Sequence, residues 1–420
     1  MRENIVAGLD IGSTAVRLVI GQKVQLEKGE DLQIIGAVSV PSDGISKGVV
    51  TSIDGATAAI SDCLEKAERL TGIPITKVFV GVNAPNIRCE RSKGVVAVGK
   101  NNGEITEEDV ERAIEAARAL SVPPNFEIIH VIPISYAIDS QGDIKDPIGM
   151  NGVRLEVEIL IVQALSSQIN NLTKAIYRTG LEIEDLVLAP LAAGEAVLTS
   201  KQKELGAVVI NLGSATTGIS IFEEGEVLHA AVLPIGSAHI TSDVALGLRC
   251  PINLAERIKL EYGSAKPTRF DNTAEVDVRP LAADEGLAED EVVDVSRHYL
   301  AEIIEARVEE IFEKVDDELK KVERSGMLPA GAFIVGGGSG LADLLEVAKL
   351  KLRLPASLGT NKNATVIVDK VNDPAYLVAL GLVVWGSKHV VEKKGFGGQA
   401  SNFFGGALGS VKGFLGKLKP

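Results

Sequence analysis

The chain has 420 residues, 45% of them hydrophobic and only 4% aromatic, with 43 glycines and a formal net charge of −14. This length allows two or more domains with ample core, and the balance suits an α/β protein with many tight turns. Strong acidity and few aromatic rings argue against a nucleic-acid surface, although six lysines against one glutamate from Lys388 onward place a basic tail on the acidic body.

Cys63, Cys89 and Cys250 lie far apart and the five histidines are scattered. No metal or redox spacing is present, so a reducing cytosolic compartment is expected. The N-terminus enters an apolar segment almost at once, without the layout of a signal peptide. The longest apolar run, near Tyr376 to Gly386, falls far short of the ~20 residues needed to span a bilayer, so no membrane-crossing segment is expected.

In chain order, "NIVAGLD", "IGST" and "AVRLVIG" read as strand, turn and strand, with a third strand near Leu32 to Val40. Apolar Ile60, Leu64, Ala67 and Leu70 predict a helix over Asp54 to Leu70, and "KVFVGV" is a buried strand. Residues 84–164 change texture: a strand "GVVAVGK", a helix "TEEDVERAIEAARAL" with a capping-box start at Thr106 and Asp109, and two strands, "FEIIHVIPISYAID" and "RLEVEILIVQAL". This segment is expected to be a small inserted α+β module. A helix from Ser167 to Thr179 ends at Gly180.

Near residue 206 the opening pattern returns as "GAVVINLGSATTGISIF", aligning Gly12 with Gly213, Ser13 with Ser214 and Asp10 with Asn211. One such repeat suggests two related lobes rather than a solenoid. Helices follow near His239 to Leu248 and Asn253 to Tyr262, the latter with Asn253 as N-cap. A long charged helix is expected from Val295 to Arg324. A buried strand then enters the glycine turn of "AFIVGGGSG", followed by helices Leu341 to Leu350 and Asp373 to Val391.

Phosphate oxygens need several donors converging on a small volume, which the backbone amides of a tight glycine turn supply. Gly12, Ser13 and Thr14 fit that need, with Asp10 at the strand end able to hold Mg²⁺ through water. Taken alone the motif also fits a plain hairpin. Gly213, Ser214, Thr216 and Thr217 repeat it, so two turns facing across a cleft would clamp a polyphosphate from both sides. Gly336, Gly337 and Gly338 fit a close approach to a base or an α-phosphate, or an ordinary strand-to-helix turn. The chain has neither a GxxxxGK[ST] loop nor a GxGxxG in its first turn.

The ordered set "LDIGST", "INLGSATTG", "LAERIKLEYG", "IVGGGSGLADL" and "DPAYLVALGLVVWG" resembles the actin-like ATPase superfamily and, within it, the FtsA cell-division family. The resemblance covers nearly the whole chain. It implies a two-lobed actin-like fold, duplicated and ribonuclease-H-like, with an inserted 1C subdomain at 84–164. Subdomain 1A would comprise 1–83, 165–200 and 363–392; 2A would comprise 201–236 and 305–362; 2B would be 237–304. The resemblance also implies ATP and Mg²⁺ as ligands. Glu256 and Lys259, one helical turn apart, would meet ribose and adenine; without the family they read as a solvated charge pair. Partners implied are the C-terminal peptide of FtsZ through 2B, other division proteins through 1C, and further copies of the chain in filaments. Asn211 departs from the superfamily's usual Asp. An amide cannot act as a carboxylate base, so nucleotide is expected to act as a conformational ligand with slow turnover at most, and Asp10 and Asn211 are the nearest catalytic candidates.

After a glycine-rich linker at 393–401, the segment 402–420 separates into two faces on a helical projection. Phe403, Phe404, Ala407, Leu408, Val411, Phe414, Leu415 and Leu418 fall within one arc of about 140°. Lys412, Lys417 and Lys419 occupy the other. This pattern describes a helix lying in an anionic lipid interface, folding as it inserts; docking on the protein's own body or on a partner is the alternative. The site expected is the cytoplasmic face of the cell membrane at the division septum. Two other functions share the core: a type IV pilus assembly protein, which usually ends near the core, and a small-molecule kinase, for which no carboxylate base is evident.

Overall fold

The computed structural model of the protein describes residues 4–26, 29–99, 103–119, 123–285 and 294–395. The first lobe opens with a hairpin of β1 (Ile5–Ile11) and β2 (Ala15–Leu26), and β3 (Gly29–Pro41) continues antiparallel from β2. A short ribbon, β4 (Ile45–Ser46) and β5 (Val49–Val50), precedes α1 (Ile53–Thr71). Ser52 caps α1 by accepting from the Gly55 amide, and Gly72 ends it in the left-handed region. β6 (Lys77–Val82) then lies parallel to β1.

The next segment builds its own core. β7 (Arg88–Ala97), α2 (Glu107–Arg118), β8 (Phe126–Ile138), β9 (Gln141–Ile144) and β10 (Arg154–Leu165) form an antiparallel sheet ordered β7-β10-β8-β9 with α2 packed on it. The helix lies close because residue 94 is glycine: a Cβ there would come within 2.0 Å of the Ala113 carbonyl oxygen. Thr106 and Asp109 cap α2 reciprocally. β7 begins at Arg88, well before the apolar stretch at Gly94, because its charged residues lie along a mostly exposed strand. The chain returns through α3 (Ser166–Tyr177), β11 (Glu182–Leu188), α4 (Ala189–Val197) and α5 (Ser200–Leu205).

The second lobe comprises β12 (Ala207–Leu212), β13 (Thr217–Glu223), β14 (Glu226–Leu233), α6 (Ser237–Leu248) and α7 (Ile252–Tyr262). It continues with β15 (Glu275–Val276), α8 (Arg279–Asp284), β16 (Val295–Ser296), α9 (Arg297–Lys321), β17 (Gly331–Val335), α10 (Leu344–Leu352) and β18 (Ala356–Leu358). β19 (Thr365–Val366) rejoins the first sheet beside β3, and α11 (Leu377–Gly395) follows.

The order β3-β2-β1-β6-β11 in one lobe is matched by β14-β13-β12-β17-β18 in the other. In both, the first three strands in sequence pair antiparallel and the last two join parallel. The two lobes are therefore one plan used twice. α4 and α11 join them, within an apolar cluster drawing on both lobes. Glycines let backbones meet there: a Cβ on Gly381 would come within 1.8 Å of the Ala192 carbonyl oxygen, and one on Gly8 within 2.3 Å of that of Ala379. Glu195, on the otherwise apolar α4, is held by Lys203 and Lys388.

Several boundaries differ from the periodicity, among them the last helix, expected from Asp373 to Val391 and found at Leu377–Gly395 after a 3₁₀ turn over Pro374–Tyr376. Pro251, not Asn253, precedes α7, which opens at Ile252 without a side-chain cap. Val295 and Ser296 pair with β15, so α9 starts at Arg297. The helix expected at Leu341 starts at Leu344, after a 3₁₀ turn over Gly337–Gly340 and a left-handed Asp343. The amphipathic segment 402–420 lies outside the described residues. Among those described, no helix is long and apolar enough to cross a membrane.

Candidate nucleotide-binding site

The two β-hairpins close alike. The Gly12 amide donates to the Ala15 carbonyl at 3.1 Å, and the Gly213 amide to the Thr216 carbonyl at 2.9 Å. A Cβ on either glycine would sit 3.0 Å from the carbonyl oxygen it bonds, so both turns are tight in the same way.

In the first lobe, Asp10 is the penultimate residue of β1 and stands opposite Arg17 on β2. Burial pushes the Asp10 carboxyl up to about 6, against the opposing pull of Arg17. The Arg17 guanidinium lies 5.7 Å from the centre of the Tyr376 ring, and its Nε is buried without a hydrogen-bond partner. Arg17 escaped the sequence reading, yet strand alternation from the glycine turn places it across from Asp10. Ser13 Oγ accepts from the Gly48 amide at 2.9 Å, which leaves its own proton free, and Thr14 is exposed.

Gly48 belongs to the two-residue turn between β4 and β5, in which Lys47 and Gly48 both have positive φ. That turn reaches the other lobe: a Cβ on Gly48 would lie 2.5 Å from the Asn83 carbonyl oxygen and 3.5 Å from Thr216 Cγ2. Asn83 Nδ2 donates to Thr216 Oγ1 at 2.8 Å. Beneath lies a cavity of about 20 Å³, lined in part by Ile11, Gly48, Asn83 and Gln168. The Asn83 and Gln168 side-chain oxygens are buried without partners.

In the second lobe the Gly213 and Ser214 carbonyls accept from the Ser237 and Ala238 amides, fastening the turn to the start of α6. Thr216 is buried where the two lobes meet, against Asn83 of the first lobe. Thr217 is fully buried, and its hydroxyl donates to the Ile235 carbonyl at 2.7 Å, so that group is engaged inside the lobe. Gly336, at φ 90°, packs against this hairpin; a Cβ there would come within 2.5 Å of both Asn211 Oδ1 and the Leu212 carbonyl oxygen. Gly338 abuts Leu212 and Ser237, whereas Gly337 is exposed with open space where a Cβ would stand. The glycine turn thus sits directly beside the second hairpin.

Glu256 and Lys259 are paired as well as on one face. Lys259 Nζ donates to Glu256 Oε2 at 2.7 Å and to Thr241 Oγ1 at 2.9 Å, and Thr241 donates to the same carboxylate. Lys259 is buried while Glu256 keeps an exposed edge. This carboxylate sits one helix away from the glycine turn and offers acceptors to a polar ligand.

The residues fit a nucleotide. The first turn offers amides and free hydroxyl protons, the third offers an unobstructed approach at Gly337, and Arg17 is a cation with an unused buried donor. For Mg²⁺, Asp10 is one carboxylate at the strand end. No group of three or more His, Cys, Asp or Glu suited to a metal occurs among the described residues. An ion here would be held chiefly by water and phosphate, as Mg²⁺ commonly is.

Comparison with known proteins decides the family. Residues 85–163 match the SHS2 domain inserted in FtsA, and residues 208–381 match the cell division protein FtsA family. The cell division protein FtsA of Pseudomonas aeruginosa is 34% identical, over 91% of this chain and 89% of its own. This chain belongs to the FtsA family. The Bacillus subtilis FtsA is 35% identical over 89% of this chain and 82% of its own length, and that of Escherichia coli 30% over 91% and 90%. As an FtsA-family member it is an actin-like cell-division protein. Solved structures agree on the fold: the PilM–PilN type IV pilus biogenesis complex superposes with a TM-score of 0.63 at 16% identity, covering 91% of this chain and 98% of that one. MreB5 of Spiroplasma citri bound to ADP gives 0.54 at 11% identity, covering 94% and 99%. The FtsA assignment sets aside the pilus-assembly and kinase readings.

Proposed function

We propose that this protein binds ATP with Mg²⁺ in the cleft between its lobes, polymerises on the inner face of the cytoplasmic membrane, and tethers FtsZ filaments there. The observation that carries the nucleotide reading is the pair of glycine hairpins, built alike and bridged across the cleft, with the Gly336–Gly338 turn beside the second. Gly12, Ser13 and Thr14 hold phosphate from one lobe, and Gly213 and Ser214 from the other. Asp10 orients the water shell of Mg²⁺, which neutralises phosphate charge when bound. Glu256 and Lys259 face the ribose and adenine. With Asn211 in place of a carboxylate, nucleotide acts as a ligand that closes the lobes, and turnover is slow.

The segment 402–420 is the anchor. Its lysines favour anionic lipid by roughly 1 kcal/mol each near the surface. One such segment holds weakly, and an array of them on a polymer holds far more tightly. Subdomain 2B, residues 237–304, takes the C-terminal peptide of FtsZ, and the insert takes other division proteins.

Co-sedimentation with anionic liposomes tests the reading, comparing the full chain with one ending at Gly395, each with and without ATP. The full chain is expected to pellet, more so with ATP, and the truncated chain to stay in solution. Equal binding by both would remove the anchor.

A further inference from the structure

We propose that Asn83 is a positioning residue of the nucleotide cleft, a latch that holds the second glycine turn against the first lobe and frees the Thr216 proton for an anionic ligand. The inference rests on the nucleotide reading above.

Asn83 directly follows β6, which runs parallel to β1 with Gly81 beside Asp10. The parallel pairing therefore delivers Asn83 next to the first glycine turn. From there its Nδ2 reaches the other lobe and donates to Thr216 Oγ1 at 2.8 Å. Two glycines make room for the bridge. A Cβ on Gly218 would sit 3.2 Å from Asn83 Oδ1, and one on Gly48 would sit 2.5 Å from the Asn83 carbonyl oxygen. Gly48 in turn donates to Ser13 Oγ. Ser13 bonded to the Gly48 backbone, the close approach of Gly48 to Asn83, and the Asn83–Thr216 hydrogen bond thus link the two phosphate turns at the cleft, away from the α4–α11 joint.

The direction of the bond matters. A hydroxyl that accepts from an amide keeps its own hydrogen to donate elsewhere. Phosphate oxygens only accept, so Asn83 sets Thr216 in the state a phosphate can use once the lobes adjust around it. An aspartate of the same shape would accept the Thr216 hydroxyl's hydrogen bond and add a negative charge beside the polyphosphate.

The test measures ATP affinity and hydrogen exchange of residues 213–217 in the full chain. Asn83→Ala is expected to weaken ATP roughly tenfold, the size of one well-made hydrogen bond, and to speed exchange of the turn without nucleotide. Asn83→Asp should weaken ATP further. Thr216→Val should show the same faster exchange, Thr216→Ser should restore wild-type behaviour, and Asn83→Ala should add little in the Thr216→Val background. Full additivity of the two losses, or unchanged exchange in Asn83→Ala, would overturn the latch. If the unmodified chain binds no ATP, the nucleotide reading fails, while the exchange arm still decides whether the latch exists.

Discussion

The two hairpins, β1–β2 and β12–β13, share their pairing, their closing hydrogen bond and the tight space at their glycines, yet they differ in chemistry. The first ends on Asp10, a carboxylate pushed up to about 6 by burial and faced by Arg17. The second ends on Asn211, an amide buried against Gly336. The first turn keeps a hydroxyl exposed at Thr14, whereas the second turns Thr216 and Thr217 inward, to the opposite lobe and to Ile235. A duplicated backbone thus carries an ionisable half and a neutral, packed half. The teaching is that strand order repeats readily, while the side chains at its ends are free to diverge.

The largest expected effect breaks the packed half. Gly336→Ala forces a Cβ into Asn211 and Leu212 and strains a positive φ, and should cost about 3 kcal/mol or more in denaturant unfolding. Gly337→Ala, one residue on, should leave stability unchanged and instead lower ATP affinity, because its Cβ enters open space. Similar losses of stability in both variants would mean the turn is a structural unit with no ligand face.

Next, Asn211→Asp makes the halves alike. It places a charge at a 5% exposed position and should destabilise the chain by about 2 kcal/mol at neutral pH. It should also raise ATP turnover, since it returns a carboxylate to the position lacking one. Unchanged turnover would show that hydrolysis is limited elsewhere.

A further effect concerns Asp10 and pH. Its folded value is raised, from 3.8 to about 6, so its contribution to stability is fully present below the unfolded value and fades as pH rises through about 6. Relative to Asp10→Asn, the unliganded chain should therefore gain thermal stability as pH falls from 7 to 4. Mg²⁺-dependent ATP binding should weaken over the same range, because protons compete for the carboxylate. A pH-independent difference between the two chains would remove Asp10 from both roles.

Local signals made much of this legible. The paired glycine turns and the insert's capping box at Thr106 and Asp109 depend on neighbours in the chain, and the resemblance to the FtsA family rested on motifs of the same kind. Periodicity alone misplaces the helix starts at Arg297 and Leu344, because a distant strand partner and a left-handed Asp343 override it.

By itself the sequence determined the repeat of the Gly-Ser hairpin, the place of the insert and the two-faced pattern of the last residues, because each follows from residues close in the chain. Only the tertiary structure decided that Asn83 meets Thr216, that Arg17 lies under Tyr376, that Thr217 turns to Ile235 and that α4 meets α11 through Gly381. Each of these contacts joins residues distant in the chain, and the first joins the two lobes. No local propensity encodes such a pairing, which is set by how whole sheets and helices pack.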